Sequence, residues 1–211
     1  MPSRRLDRSL GINTIPPKVC SYTCVYCQLG RTTCMQTRRA TFRDPWHLLR
    51  AVQGKLMSVA EAGQTVDYLT FVPDGEPTLD LNLGREIDLL HSLGIPVVVI
   101  SNASLLAVAD VREDVMRADL VSFKVDAAQE AAWRRVDRPH GALRFGAIRD
   151  GLLSLARSGT GWARVHDLLA SGRLAELEYA GHRFYLRKLH GEVTRPRSQA
   201  RRPYGQGGSC G

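Results

Sequence analysis

Apolar positions along this chain keep changing period, and the changes mark its elements. Leu10–Ile15 alternates weakly and predicts a first strand, which Pro16-Pro17 stops. Asp44-Pro45 has the form of an N-cap followed by proline at the first helical position, predicting a helix to about Ala62. Asp67–Val72 is a short apolar strand ended by Pro73. Leu83, Ile87, Leu90 and Leu93 fall at helical spacing within Leu81–Leu93, and Gly94 closes that helix. Pro96–Ile100 is a continuous β-branched run, as expected of a strand buried on both faces. Asp110 and Glu113 read as a capping box in a helical region up to about Arg117. Leu120–Val125 predicts a fourth strand, followed by helices over Ala127–Arg134 and Leu143–Arg157.

Strands alternating with helices predict an α/β fold with a parallel sheet and right-handed crossovers. Residues 1–157 read as one domain and Ser158-Gly159-Thr160-Gly161 as a linker. Trp162–Ala170 has the pattern of a short amphipathic helix, with Gly172 as its C-cap. Leu174–Tyr179 and His182–Leu186 flank Ala180-Gly181 as a hairpin, so that 162–190 resembles the end of a winged-helix module. The Arg-, Pro-, Gly- and Ser-rich stretch 191–211 reads as a basic disordered tail.

Charge divides the chain in the same way. The net charge of +8 is made of +7 over residues 1–43, −5 over the middle and +6 over residues 183–211. Basic ends suit a polyanion such as tRNA, and equally a solvated tail. No apolar run approaches the roughly 20 residues of a membrane span. With no apolar stretch near Met1-Pro2-Ser3-Arg4-Arg5 either, a cytoplasmic protein is expected.

The most specific chemical signal is Cys20, Cys24 and Cys27, spaced C-x3-C-x2-C in the loop after the first strand. Structural zinc wants four ligands, usually as two separated pairs, and no second C-x2-C is present. Closed [4Fe–4S] sites use four cysteines, so three thiolates leave one iron open to a ligand that is not protein. Crowded thiols of this kind belong in a reducing compartment. Cys34, seven residues on, reads as a spare thiol, and Cys210 as incidental. Three further groups sit at the ends of predicted strands, where parallel α/β folds build their sites. They are Gly75-Glu76 in the run Phe71-Val72-Pro73-Asp74-Gly75-Glu76-Pro77-Thr78, Ser101-Asn102, and Lys124 with Asp126.

With Tyr26 in the aromatic position before Cys27, this pattern resembles the radical S-adenosylmethionine superfamily. The resemblance implies that Cys20, Cys24 and Cys27 bind three irons of a [4Fe–4S] cluster and that S-adenosylmethionine takes the fourth. It implies an oxidoreductase-type iron–sulfur enzyme. Reductive cleavage of the sulfonium would give a 5′-deoxyadenosyl radical that abstracts hydrogen from a substrate. It places Tyr26, Gly75, Glu76, Ser101, Asn102, Lys124 and Asp126 around that cofactor, with Gly75-Glu76 at the methionyl amino group. It also implies a reductant such as flavodoxin or ferredoxin.

The runs Ser9–Cys20 and Cys27–Thr32, together with Arg138-Pro139-His140, are similar to a narrower group that includes the wyosine-type tRNA-base synthases. That likeness covers residues 9–157 and raises a tRNA base as substrate. It also implies fifth and sixth barrel strands, where only a few residues separate Leu155 from Trp162. The chain therefore reads as a partial (β/α) barrel of about four β-α units, expected to bind cofactor with impaired turnover. Two other classes fit the sequence: a non-catalytic cluster- or nucleic-acid-binding protein, and a cluster-bearing electron carrier.

Overall fold

The computed structural model describes residues 2–3, 7–72, 74–157, 174–179 and 182–187. These fall into two units divided between Arg157 and Ser158. In chain order the first unit holds β1 (Pro2–Ser3), β2 (Asp7–Ile12), β3 (Val19–Cys20), β4 (Cys34–Met35), α1 (Pro45–Glu61) and β5 (Tyr68–Phe71). It continues with a 3-10 turn (Pro77–Leu79), α2 (Leu83–His91), β6 (Val97–Ser101), α3 (Ala109–Met116), β7 (Leu120–Phe123), α4 (Glu130–Val136) and α5 (Phe145–Arg157).

The four predicted strands and the short β1 form a five-stranded sheet, in the order β1-β2-β5-β6-β7. β2, β5, β6 and β7 pair in parallel, and only the two-residue β1 is antiparallel. Register brings Ile12 beside Phe71, Phe71 beside Val99 and Ser101 beside Phe123, so the carboxyl ends of all four strands lie at one edge. This is the parallel α/β sheet that the strand–helix alternation predicts, and it is consistent with the partial barrel that the family resemblance implies. Val97, Val98 and Val99 are fully buried, as their continuous apolar run requires.

Helices supply the other half of the core. The Asp44 carboxylate accepts from His47 N at 2.8 Å and Pro45 opens α1, as read from the sequence. Leu83, Ile87 and Leu90 bury one stripe of α2, while Val111 and Val115 do so for α3. Gly151 of α5 lies so close to the chain at Leu106 that a Cβ would sit 2.2 Å from its carbonyl oxygen. Each fully buried aliphatic side chain of this kind contributes about 1.5–3 kcal/mol.

Several boundaries differ from the sequence expectation. The first strand is Asp7–Ile12, because Arg8 pairs with Asp67 at the start of the partner strand. Asn13 turns away instead, donating to the Asp74 carboxylate at 2.5 Å. Asp110 does not cap α3; Val108 occupies that position without a side-chain bond. α4 begins at Glu130 and α5 at Phe145, both later than predicted.

In the second unit, β8 (Leu174–Tyr179) and β9 (His182–Arg187) pair antiparallel from Leu174↔Arg187 to Tyr179↔His182. The predicted linker 158–161, the helix 162–170 with its Gly172 cap, the Ala180-Gly181 turn and the tail 191–211 lie outside the described residues. Among the described residues no helix is long and apolar enough to cross a membrane.

Candidate functional site

The cysteine loop is held between the carboxyl ends of β2 and β5. Lys18, at φ +65°, reverses the chain after Pro16-Pro17. Its N–H donates to Asp74 O at 2.6 Å, and Glu76 N donates to Val19 O at 3.1 Å. β3 then pairs in parallel with β4, closing the loop at its base. Gly75 lies flat against this base: a Cβ there would be 2.0 Å from Val19 O and 2.8 Å from Ile15 Cγ2. Glycine is required here by close approach of two backbones. Cys27 N donates to Cys24 O at 3.2 Å and Gly30 N to Cys27 O at 3.0 Å, which folds the second half of the loop into successive turns. Cys20, Cys24 and Cys27 line one cavity of about 60 Å3 with Lys18, Thr32 and Gly75, and Cys27 is exposed.

The strand ends converge on this loop through one buried carboxylate. Glu76 Oε1 accepts from Thr78 N (3.1 Å), Thr78 Oγ1 (2.6 Å) and Ser101 Oγ (2.7 Å), while Oε2 accepts from Asn102 N (2.8 Å). Burial pushes this carboxyl up against the pull of those four donors. Asn102 Nδ2 reaches Cys20 Sγ at 3.5 Å and Ser21 Oγ at 3.0 Å, and its Oδ1 accepts from Ser104 N at 2.9 Å. Ala103, the next residue, is held at φ +65°. Backbone strain of this sort persists where surrounding bonds over-determine it.

On the other side of the loop, Tyr26 meets the end of β7. Lys124 Nζ stands 3.6 Å from the Tyr26 ring centroid, a cation–π distance, and 4.0 Å from the Asp126 carboxylate. The Tyr26 hydroxyl is hydrogen-bonded to Asp126 and lies 3.1 Å from Asp137 Oδ1. A phenol has one proton to donate. The second carboxyl therefore bonds only when it carries a proton itself, and burial together with the Asp126 charge pushes Asp137 up to about 6.

The radical SAM superfamily model matches residues 14–161. The chain belongs to the radical SAM superfamily. It is 47% identical over 154 residues to a UPF0026 protein of Methanocaldococcus jannaschii, covering 73% of this chain and 47% of the relative. It is 34% identical over 169 residues to a UPF0026 protein of Synechocystis, covering 79% of this chain and 62% of the relative. A Helicobacter pylori UPF0026 protein is 32% identical over 166 residues, covering 72% of this chain and 52% of its own. The chain thus spans about half the length of such curated relatives. A solved structure of TYW1 with a lysine–pyruvate adduct bound is similar at 16% identity and TM-score 0.49, over 72% of this chain and 52% of that one.

The donor set of this radical SAM protein fits an iron–sulfur cluster. Three free thiols share one cavity, and an amide N–H is aimed at the sulfur of Cys20. Cubane sites spread their cysteines over separate irons and use hydrogen bonds to sulfur to set the potential. Burial, with the Glu76 charge, pushes the Cys20 thiol up to about 11, and burial pushes Cys24 up to about 12. Both are therefore protonated until a metal displaces the proton.

Not every predicted site residue faces outward. The Ser101 hydroxyl is buried and engaged with Glu76 and Ala103 N, and the Glu76 carboxylate has no free face; both hold the strand ends together. Lys124, Asp126 and Tyr26 remain at the exposed rim. Asp137, buried against Tyr26, has no sequence signal beyond an acid between a helix and Arg138-Pro139. A separate cavity of about 470 Å3, lined by residues of β2 and α1, shares no lining residue with the cysteine cavity.

Proposed function

We propose that Cys20, Cys24 and Cys27 bind a [4Fe–4S] cluster and that S-adenosylmethionine binds beside it and is reductively cleaved. One observation carries the reading. Three free thiols of a C-x3-C-x2-C loop line a single cavity at the carboxyl edge of a parallel sheet, with Asn102 from the end of β6 donating to the first sulfur. When bound and reduced, such a cluster supplies the electron that splits the cofactor's sulfonium and yields a 5′-deoxyadenosyl radical.

The chain's own residues bind and orient. Gly75 lets the backbone between β5 and the 3-10 turn approach the loop, where the methionyl amino group would lie. Glu76, with Ser101, fixes the carboxyl ends of β5 and β6 as one surface. Asn102 donates to Cys20. Lys124 at the rim offers its charge to the methionyl carboxylate, and Asp126 offers acceptors to the ribose hydroxyls. The electron donor in this reading is a flavodoxin or ferredoxin in a reducing cytoplasm. The substrate class in this reading is a tRNA base, met by the basic ends of the chain.

Anaerobic reconstitution with iron and sulfide, then reduction with S-adenosylmethionine present, tests the reading. It predicts about four irons per chain and formation of 5′-deoxyadenosine. Iron uptake unchanged by Cys20→Ala, Cys24→Ala and Cys27→Ala together would overturn it.

A further inference from the structure

The segment that follows α4 runs antiparallel along the cysteine loop. Val25 N donates to Val136 O at 2.9 Å, Thr23 N to Asp137 O at 3.1 Å, and His140 N to Ser21 O at 2.9 Å. Tyr22 and Pro139 form an antiparallel bridge between these bonds. The loop is thus one edge of a small ladder whose other edge is Val136–His140. Arg138 in that edge is held at φ +46°, a left-handed conformation that a non-glycine residue adopts only where its surroundings hold it there.

Side chains grip the same strip at both ends. Trp133 Nε1 donates to the Tyr22 hydroxyl at 3.0 Å, with the two rings edge to face at 5.9 Å. Tyr26, between Cys24 and Cys27, places its hydroxyl 3.1 Å from the buried carboxyl of Asp137. Asp126 receives the same hydroxyl from the end of β7. Tyr22 therefore sets the first half of the loop, and Tyr26 sets the turn that carries the second and third cysteines.

We propose that Asp137 is a positioning residue for the cysteine loop: by holding the Tyr26 hydroxyl it fixes the Cys24–Cys27 turn before any metal binds. This rests on the reading that the loop ligates iron. Asp137 touches the loop through its backbone carbonyl to Thr23 and through its carboxyl to Tyr26 and the Cys24 thiol. Asp137→Ala keeps the backbone carbonyl and removes the carboxyl that meets the Tyr26 hydroxyl. Tyr26→Phe removes the hydroxyl alone, at a residue exposed enough to tolerate it.

Amide hydrogen exchange of the full metal-free chain tests this. Thr23 and Val25 are the reporting amides, and Leu69, which donates to Pro96 O inside the sheet, is the control. Loss of the part-buried Tyr26–Asp137 hydrogen bond should speed exchange at Thr23 and Val25 by about threefold to tenfold in each variant. Leu69 should keep its rate. The double variant should fall short of the sum of the two single ones, since both break the Tyr26–Asp137 contact, while Tyr26→Phe also loses the bond to Asp126. After iron loading, both variants should release iron to a chelator faster than the parent. Unchanged Thr23 and Val25, acceleration of Leu69 to the same degree, or additive effects in the double variant would each overturn the proposal. A parent chain that takes up no iron would instead overturn the reading of the site, and leave the exchange result standing.

Discussion

At the scale of single residues, Gly75 and the two buried thiols carry the sharpest consequences. A methyl group at Gly75 meets the Val19 carbonyl, which cannot rotate away as a side-chain tip could. Gly75→Ala should therefore displace the base of the cysteine loop. Overpacking of this kind costs about 1–3 kcal/mol, to be seen as a lower midpoint in thermal unfolding together with weaker iron retention. The thiols predict a pH effect. Cys20 and Cys24 sit near 11 and 12 because burial disfavours their charge. Iron binding must take both protons, so iron uptake at fixed iron and sulfide should rise with pH and release protons as it proceeds. Iron content measured across neutral to mildly alkaline buffers checks this; a flat profile would mean that these thiols are not ligands.

At the scale of elements, α2 contains a group whose ionisation opposes the fold. Glu86 is fully buried, neither carboxylate oxygen has a hydrogen-bond partner, and burial together with the Asp80 charge pushes it up to about 8. Its folded value lies above its ordinary value of 4.5, so the proton is bound more tightly in the folded chain. Stability from this group is fully present below about 4.5 and is lost as pH rises through about 8. Glu86→Gln should flatten that decline in chemical unfolding measured across the same range. Glu76→Gln should lower stability instead. Its amide nitrogen would face groups that all donate, leaving at least one buried donor unpaired, at a cost of about 1–3 kcal/mol. What the sequence made legible follows from locality. β6 and α1 carry their own signals, a β-branched run and an Asp-Pro cap. The start of β2 depends on an ion pair with Asp67, and the ladder along Val136–His140 depends on a loop more than a hundred residues away in sequence. No local pattern encodes either.

At the scale of the whole molecule, topology gathers what the sequence scatters. The cysteines follow β2, Gly75-Glu76 follows β5, Asn102 follows β6 and Asp126 follows β7, and parallel pairing brings all four to one edge. The site was legible as a set of strand ends. Its internal division of labour was not, because burial decides which polar groups face a ligand: Glu76 and Ser101 hold the frame, while Lys124 and Asp126 stay at the rim. The central claim is that the cysteine cavity holds a cluster with one iron open to S-adenosylmethionine. Electron paramagnetic resonance of the reconstituted, reduced chain, recorded before and after addition of S-adenosylmethionine, tests it most directly. A reduced [4Fe–4S] signal whose g-values shift on addition is the predicted result. A cluster signal that stays the same at saturating S-adenosylmethionine would contradict it.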